Sequence, residues 1–95
     1  MDRLTKLIFS FYREDKQIQS RLAPLLRSRL SRSWGSVRID CLNAEHLEEV
    51  SLLSGYISAP LAGIDFCRKI IVRAPDVAER TFLVHALFKK DSLIG

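Results

Sequence analysis

The stretch SVRIDCLNAEHLEE (36–49) changes its hydrophobic period from two residues to about four. Residues 36–43 alternate apolar and charged side chains, which is typical of a strand with one covered face. Asn43 is a favourable N-cap residue, and glutamates follow it, where the helix dipole favours acidic groups. The stretch therefore predicts a strand over 36–43 and a helix over 44–55.

Two elements are predicted upstream of this unit. LTKLIFSFY (4–12) fits a helical template as well as strand alternation, but its aromatic residues and the charged REDK that follows favour a strand. DKQIQSRLAPLLRSRLSRSW (15–34) repeats apolar residues every three or four positions, which predicts a helix ending before Gly35. Pro24 should kink or break that helix, because an interior proline costs about 3 kcal/mol.

Three further elements are predicted downstream. Residues 59–64 and 68–73 are expected to be extended, and the short connection between them predicts an antiparallel hairpin. PDVAERTFLVHALFKK (75–90) begins with Asp76 and Glu79 at the spacing of a capping box, which predicts a final helix. Residues 91–95 are expected to be a loose tail.

The predicted order is βαβαββα, which is an α/β fold of the thioredoxin-like type with a mixed four-stranded sheet. The first βαβ unit implies parallel pairing of its two strands. At 95 residues, the chain is expected to form a single domain.

Composition and charge limit the classes of protein to which this chain could belong. The net charge of +4 is uneven, because residues 1–38 hold nine Lys/Arg against three Asp/Glu, whereas residues 39–95 hold six against eight. A basic first half could attract nucleic acid or an acidic partner. No apolar run reaches the roughly 20 residues of a membrane span, and no secretory leader is evident. A cytoplasmic protein without a membrane partner is therefore expected.

No catalytic constellation is evident in the sequence. Cys41 and Cys67 form no CxxC motif, and neither follows the predicted first strand, so disulfide exchange is not expected and both should be buried. His46 and His85 lie on different predicted helices without further ligands; we expect His46 to be exposed. We predict no enzyme activity, no cofactor and no metal site.

Two segments resemble the KaiB circadian clock family, which includes the KaiB-like sensor domain of the histidine kinase SasA. IDCLNAEHLEE (39–49) resembles the family's ID-x-L-x-N-P-x-L-x-E-E stretch, and RKIIVRAPDVAERTFLVHAL (68–87) is similar to its RRII-x-D-L-S-x-x-E stretch. The resemblance implies a thioredoxin-like fold and a non-enzymatic regulatory module that docks onto a larger ATPase, as the family docks onto KaiC, or onto a signalling protein.

The resemblance also implies a partner-binding surface. We predict that this surface combines the second strand and helix with the following basic pair: Asp40, Asn43, Glu45, Glu48, Glu49, Arg68 and Lys69. Asp40 could orient a partner or pair with Arg38 or Arg68, and the simpler interpretation is a strand-end carboxylate that faces solvent.

Pro60 in YISAPLAG (56–63) occupies the place where thioredoxin-like folds carry a cis-proline. We therefore predict a cis Ala59–Pro60 bond, although only about 5–6% of X–Pro bonds are cis. A trans bond or a helix over 56–63 would instead indicate another topology or the alternative fold for which KaiB is known.

A small nucleic-acid-binding protein is the alternative function. It would use a basic face of the long predicted helix, consisting of Arg21, Arg27, Arg29 and Arg32. Trp34, at the end of this helix, is expected to be an aromatic at the edge of the core and not a stacking platform. A structural homo-oligomer is a third possibility.

Overall fold

A computed structural model describes residues 2–63 and 67–84 of the chain. These residues form four α-helices: α1 (Arg3–Phe11), α2 (Lys16–Arg21), α3 (Ala44–Ser51) and α4 (Ser54–Gly63). A 3₁₀ helix spans Ala23–Arg27. The strands are β1 (Arg29–Ser33), β2 (Ser36–Asp40), β3 (Lys69–Arg73) and β4 (Arg80–Leu83).

The four strands form one mixed sheet in the order β1-β2-β3-β4. The pairs β1–β2 and β3–β4 are antiparallel, whereas β2 and β3 are parallel. Helices α3 and α4 make the crossover between the two parallel strands. The predicted four-stranded mixed sheet in an α/β fold is therefore confirmed.

One face of the sheet carries the hydrophobic core. Burial of each large apolar side chain in this core contributes roughly 1.5–3 kcal/mol to the free energy of folding. The strand residues at the centre of this core are Leu30, Val37, Ile39, Ile70 and Val72. The helical residues that join them include Ile8, Leu25, Leu47, Val50, Ile57 and Leu61.

The predicted strand over 4–12 is wrong, because this segment is helix α1. Asp2 caps the helix, since its Oδ1 accepts a hydrogen bond of 2.8 Å from the Thr5 N–H. Ile8 is fully buried in the core. The helical spacing of the apolar residues therefore outweighed the strand preference of the aromatic ones.

The predicted helix over 15–34 is also wrong beyond its first turns. Helix α2 ends at Arg21, and Pro24 lies at the start of the 3₁₀ helix, so the predicted break at Pro24 is confirmed. The chain then extends into β1, which pairs with β2 through the two-residue turn Trp34–Gly35. An antiparallel partner directly after the turn explains why residues 29–33 are a strand.

The expectations for Pro60 are wrong. The Ala59–Pro60 bond is trans, and residues 54–63 are helix α4. Because Pro60 has no N–H, the Tyr56 carbonyl one turn earlier lacks its helical donor. The Tyr12 hydroxyl donates to that carbonyl instead, at 2.8 Å. The contact between α1 and α4 thus stabilises a proline inside the helix, and the usual thioredoxin-like form does not describe this segment.

The predicted helix over 75–90 is wrong where the structure describes it. Residues 75–79 connect β3 to β4, and Asp76 has a left-handed φ of 60°. Asp76 and Glu79 therefore form no capping box. The alternating sequence RTFL finds an antiparallel partner in β3, which explains the strand. Residues 85–90, the tail 91–95, His85 and the connection around Asp65, where the predicted hairpin would reverse, lie outside the described residues.

Three predicted elements are confirmed with shorter bounds: β2, α3 and β3. The predicted order βαβαββα nevertheless fails at its first strand, in the second half of its first helix, at its third strand and at the start of its last helix. The predicted parallel pairing of the first two strands and the predicted hairpin between 59–64 and 68–73 are therefore wrong as well.

Candidate binding surface

The structure divides the predicted partner-binding residues between two ends of the sheet. The parallel register places Ser36 opposite Lys69 and Asp40 opposite Arg73. Lys69 therefore lies four strand residues away from the level of Asp40, a distance of about 13 Å along the strand. We call the region around Asp40 and the start of α3 the Asp40 end, and the region around the Trp34–Gly35 turn and Arg68–Lys69 the Trp34 end.

Asp40 forms an ion pair within the sheet. Its Oδ1 accepts hydrogen bonds from Nη2 of Arg73 at 2.9 Å and from Nε at 3.1 Å. The expected pairing with Arg38 or Arg68 is wrong, because the parallel register puts Arg73 directly beside Asp40. Both side chains remain about 40% exposed (43% for Arg73 and 38% for Asp40), so the pair contributes little to stability.

The acidic residues of α3 are engaged in a similar way. Glu48 pairs with Arg80 of β4, and Glu49 pairs with Arg27 of the 3₁₀ helix at 2.9 Å. Asn43 caps the helix as predicted, because its Oδ1 accepts a hydrogen bond of 2.8 Å from the His46 N–H. Glu45 is exposed in the first turn.

His46 is buried, with 2% of its surface exposed, so the expectation of an exposed side chain is wrong. Its Nδ1 accepts a hydrogen bond of 2.9 Å from the Leu42 N–H. Its Nε2 lies 2.7 Å from the Pro24 carbonyl oxygen, which can only accept, so Nε2 carries the proton. A neutral imidazole thus joins the start of α3 to the 3₁₀ helix.

The four arginines of the predicted anion face do not share a face. Arg21 ends α2, and Arg27 is paired with Glu49. Arg29 and Arg32 both lie on β1, but strand alternation directs them to opposite faces of the sheet. The basic helix on which the nucleic-acid alternative was based is therefore not present.

Trp34 is a candidate binding residue that the sequence analysis missed. It lies in the two-residue turn between β1 and β2 and is 99% exposed, so the prediction of an aromatic at the edge of the core is wrong. Trp34 and Gly35 have φ angles of 30° and 75°, as a primed hairpin turn requires. Left-handed backbone is strained for a bulky residue. Gly35 between two alternating segments was the signal for this hairpin.

Two basic residues lie next to the Trp34–Gly35 turn. The Arg68 N–H donates to the Gly35 carbonyl at 2.7 Å, and Lys69 lies opposite Ser36, directly after the turn. Arg68 and Lys69 are both exposed, and within the described ranges neither forms an ion pair. Leu83 pairs with Lys69 across the sheet and is 62% exposed. The Trp34 end thus combines one aromatic, one aliphatic and two cationic side chains.

The cysteines are unsuited to nucleophilic chemistry. Cys41 and Cys67 are each 7% exposed, as predicted. Burial raises the pKa of both thiols. Residues 2–63 and 67–84 contain no group of three or more His, Cys, Asp or Glu side chains arranged to hold a metal ion. In the same ranges, no helix has the length and apolar character needed to cross a membrane.

No protein-family model matches this chain. No curated protein and no solved structure matches it either.

Proposed function

We propose that this protein is a non-enzymatic module that docks onto a protein partner through its Trp34 end. The observation that carries the proposal is the 99% exposure of Trp34 on a two-residue hairpin turn. Water contact with an entire indole is unfavourable, and burial of such a side chain on binding contributes strongly to affinity. Tryptophan and arginine are also enriched among the residues that dominate protein–protein binding energy.

The backbone around Trp34 supports this role. The turn is fixed by the β1–β2 pairing, which extends from Ser33–Ser36 to Arg29–Asp40. A second anchor is the hydrogen bond of 2.7 Å from Arg68 to Gly35. Because the turn is held on both sides, binding would not require it to become ordered, which lowers the entropic cost of association.

The partner's chemistry follows from the side chains around the indole. A complementary surface would offer an apolar pocket for Trp34 and carboxylates for Arg68 and Lys69. Charge complementarity of this kind increases the association rate and specificity more than the affinity. The resemblance to the KaiB family suggests a larger ATPase or signalling protein as the partner. The basic pair of the predicted docking surface is retained in this proposal, whereas Asp40, Glu48 and Glu49 already have partners within the chain.

Capture of partners from native lysate, followed by mass spectrometry, tests the proposal. The unchanged chain is compared with Trp34→Ala, Arg68→Glu and the double reversal Glu48→Lys plus Glu49→Lys. We expect the first two variants to lose a partner that the unchanged chain retains, because they remove the indole and reverse a cation that forms no ion pair within the described residues. Far-UV circular dichroism checks that each variant is folded.

The double charge reversal on α3 tests where on the molecule the partner binds. If it alone abolishes capture, the partner binds at α3 and the proposed Trp34 anchor is wrong. Retention of every partner by Trp34→Ala would contradict the proposal as well.

A further inference from the structure

The sheet face opposite the hydrophobic core is polar and basic. Strand alternation and the observed register agree in placing eleven residues on this face: Arg29, Ser31, Ser33, Ser36, Arg38, Asp40, Lys69, Ile71, Arg73, Thr81 and Leu83. Ten of them are half-buried or exposed, and Ser36 is buried. Four cations thus share this face with one carboxylate.

The cations of this face differ in whether they have partners. Arg73 is paired with Asp40, so these two charges cancel. Arg29, Arg38 and Lys69 form no ion pair or side-chain hydrogen bond with any residue in 2–63 or 67–84. Arg38 lies in the central strand β2, and its buried Nε has no hydrogen-bond partner. A buried guanidinium nitrogen without an acceptor is unfavourable.

The three unpaired cations are spaced regularly along the strands. The register puts Arg29 at the level of Asp40, Arg38 two residues further along, and Lys69 at the level of Ser36. Two residues of strand span about 6.7 Å. Because the three cations lie on neighbouring strands about 4.8 Å apart, they form a diagonal row with steps of about 8 Å. Among the described residues, each level along the face thus presents one unpaired positive charge, a repeat that long, flexible side chains can match to successive phosphates of an extended polynucleotide.

We infer that this face binds single-stranded nucleic acid. Arg29, Arg38 and Lys69 would contact three phosphates, and the hydroxyls of Ser31 and Thr81, in the same row as Arg38, would donate to phosphate oxygens. Trp34, at the end of the face, offers a ring on which a base could stack. A repeating anion fits this regular row of cations better than an isolated carboxylate would. The inferred site shares Trp34 and Lys69 with the proposed docking surface but adds Arg29 and Arg38, which the protein-docking proposal does not use.

The experiment measures fluorescence anisotropy of labelled (dT)12 and (rU)12 with the full chain between 20 and 200 mM NaCl. The test variant combines Arg29→Gln, Arg38→Gln and Lys69→Gln. The matched control combines Arg3→Gln, Lys6→Gln and Arg13→Gln, which removes the same charge from exposed positions in and after α1. Urea unfolding shows whether both variants are folded.

We expect the unchanged chain and the control to bind with similar salt dependence. For the test variant, the magnitude of the slope of log Ka against log salt should fall by about 2, since each single-strand phosphate contact contributes about 0.7. Affinity at 20 mM NaCl should fall more than tenfold. Trp34→Ala should weaken binding roughly tenfold without changing the slope.

Three outcomes would overturn the inference. The first is absence of binding to both oligonucleotides at 20 mM NaCl. The second is an equal loss in the test and control variants, which would indicate attraction by overall charge alone. The third is binding to phosphatidylserine vesicles or poly-glutamate that excludes the oligonucleotides at equal charge concentration, which would assign the face to a membrane or an acidic protein.

Discussion

The two ends of the sheet differ in whether their charged side chains have ion-pair partners within the described residues. At the Asp40 end, the carboxylates of Asp40, Glu48 and Glu49 each have an arginine partner from another element. At the Trp34 end, Arg68 and Lys69 form no ion pair within the described residues, and Trp34 is in water. The first arrangement neutralises its charges within the chain, and the second leaves side chains available to a ligand.

The ion pairs themselves do not hold the Asp40 end together. Exposed pairs of this kind contribute about 0–1 kcal/mol each. Hydrogen bonds from less exposed groups connect the elements there more firmly. His46 joins α3 to the 3₁₀ helix, and Asp2 accepts from the Leu30 N–H of β1 at 3.2 Å while it caps α1.

The largest expected effect is the loss of the buried His46 imidazole. His46→Ala should lower the free energy of unfolding by about 3 kcal/mol, because the Leu42 N–H and the Pro24 carbonyl lose their partner and a cavity remains. Urea denaturation measures this change. Glu45→Ala, one position away and exposed, should change stability by less than about 0.5 kcal/mol. Equal effects of the two substitutions would show that His46 does not connect these elements.

At the other end of the sheet, a substitution of Trp34 is expected to stabilise the protein, in contrast to the substitution of His46. Trp34→Asn should raise the free energy of unfolding by about 1 kcal/mol, because asparagine tolerates the φ of 30° that strains tryptophan. The same variant should lose the protein partner. Thermal unfolding together with partner capture measures both effects. A destabilised Trp34→Asn variant would indicate that the indole stabilises the fold, which would contradict its assignment as a binding residue.

Asp2 makes the Asp40 end sensitive to acid. Partial burial alone would raise the pKa of this carboxyl, but hydrogen bonds from Thr5 and Leu30 outweigh it, and the pKa is lowered. The stability contributed by the charge is therefore complete above the ordinary pKa of aspartate, about 4, and is lost as the pH falls through the lower value in the folded protein.

Two variants separate the charge of Asp2 from its capping role. Asp2→Ala should cost about 1 kcal/mol at pH 7, as is usual for an N-cap. Asp2→Asn keeps a capping oxygen, so its smaller deficit at pH 7 should shrink and vanish as the pH falls below the ordinary pKa of aspartate, about 4. Urea unfolding across this range measures the deficit. A deficit independent of pH would mean that the carboxylate charge does not contribute.

The smallest expected effect concerns the Asp40–Arg73 pair. A double-mutant cycle with Asp40→Asn and Arg73→Gln should give a coupling energy of about 0.5 kcal/mol, because both side chains are more than a third exposed. Chemical denaturation of the four proteins provides the value. A coupling above about 2 kcal/mol would show that ion pairs, and not His46 and Asp2, hold this end together.

The strand–helix unit β2–α3 and the strand β3 were predictable because their signals are local, whereas α4 between them was predicted in part as a strand and the parallel β2–β3 pairing was not predicted. β2 alternates apolar and charged residues, Asn43 caps α3, and the branched residues Ile70–Val72 form β3. The same local reasoning predicted that Pro24 interrupts a helix. It also predicted that both cysteines are buried.

The candidate sites were less predictable, because spatial proximity depends on strand register. Asp40 and Arg68 were predicted to lie on one partner-binding surface, although the parallel register places them at opposite ends of the sheet. The four arginines share a helix face only if residues 29–33 are helical, and these residues form strand β1. The core-edge prediction for Trp34 depends on the same helix, whereas Trp34 lies in the hairpin turn that follows β1.

The sequence by itself determined the strand–helix unit from Ser36 to Ser51, the break at Pro24 and the uneven charge, because each depends on neighbouring residues or on composition. The tertiary structure decided the remaining elements. The Tyr12 hydroxyl satisfies the carbonyl that Pro60 leaves without a donor, which allows helix α4. The edge of β3 pairs with RTFL and makes it a strand, and the β1–β2 hairpin turns Trp34 into solvent. In each case, a partner distant in sequence supplied the hydrogen bonds or the packing that local preference did not.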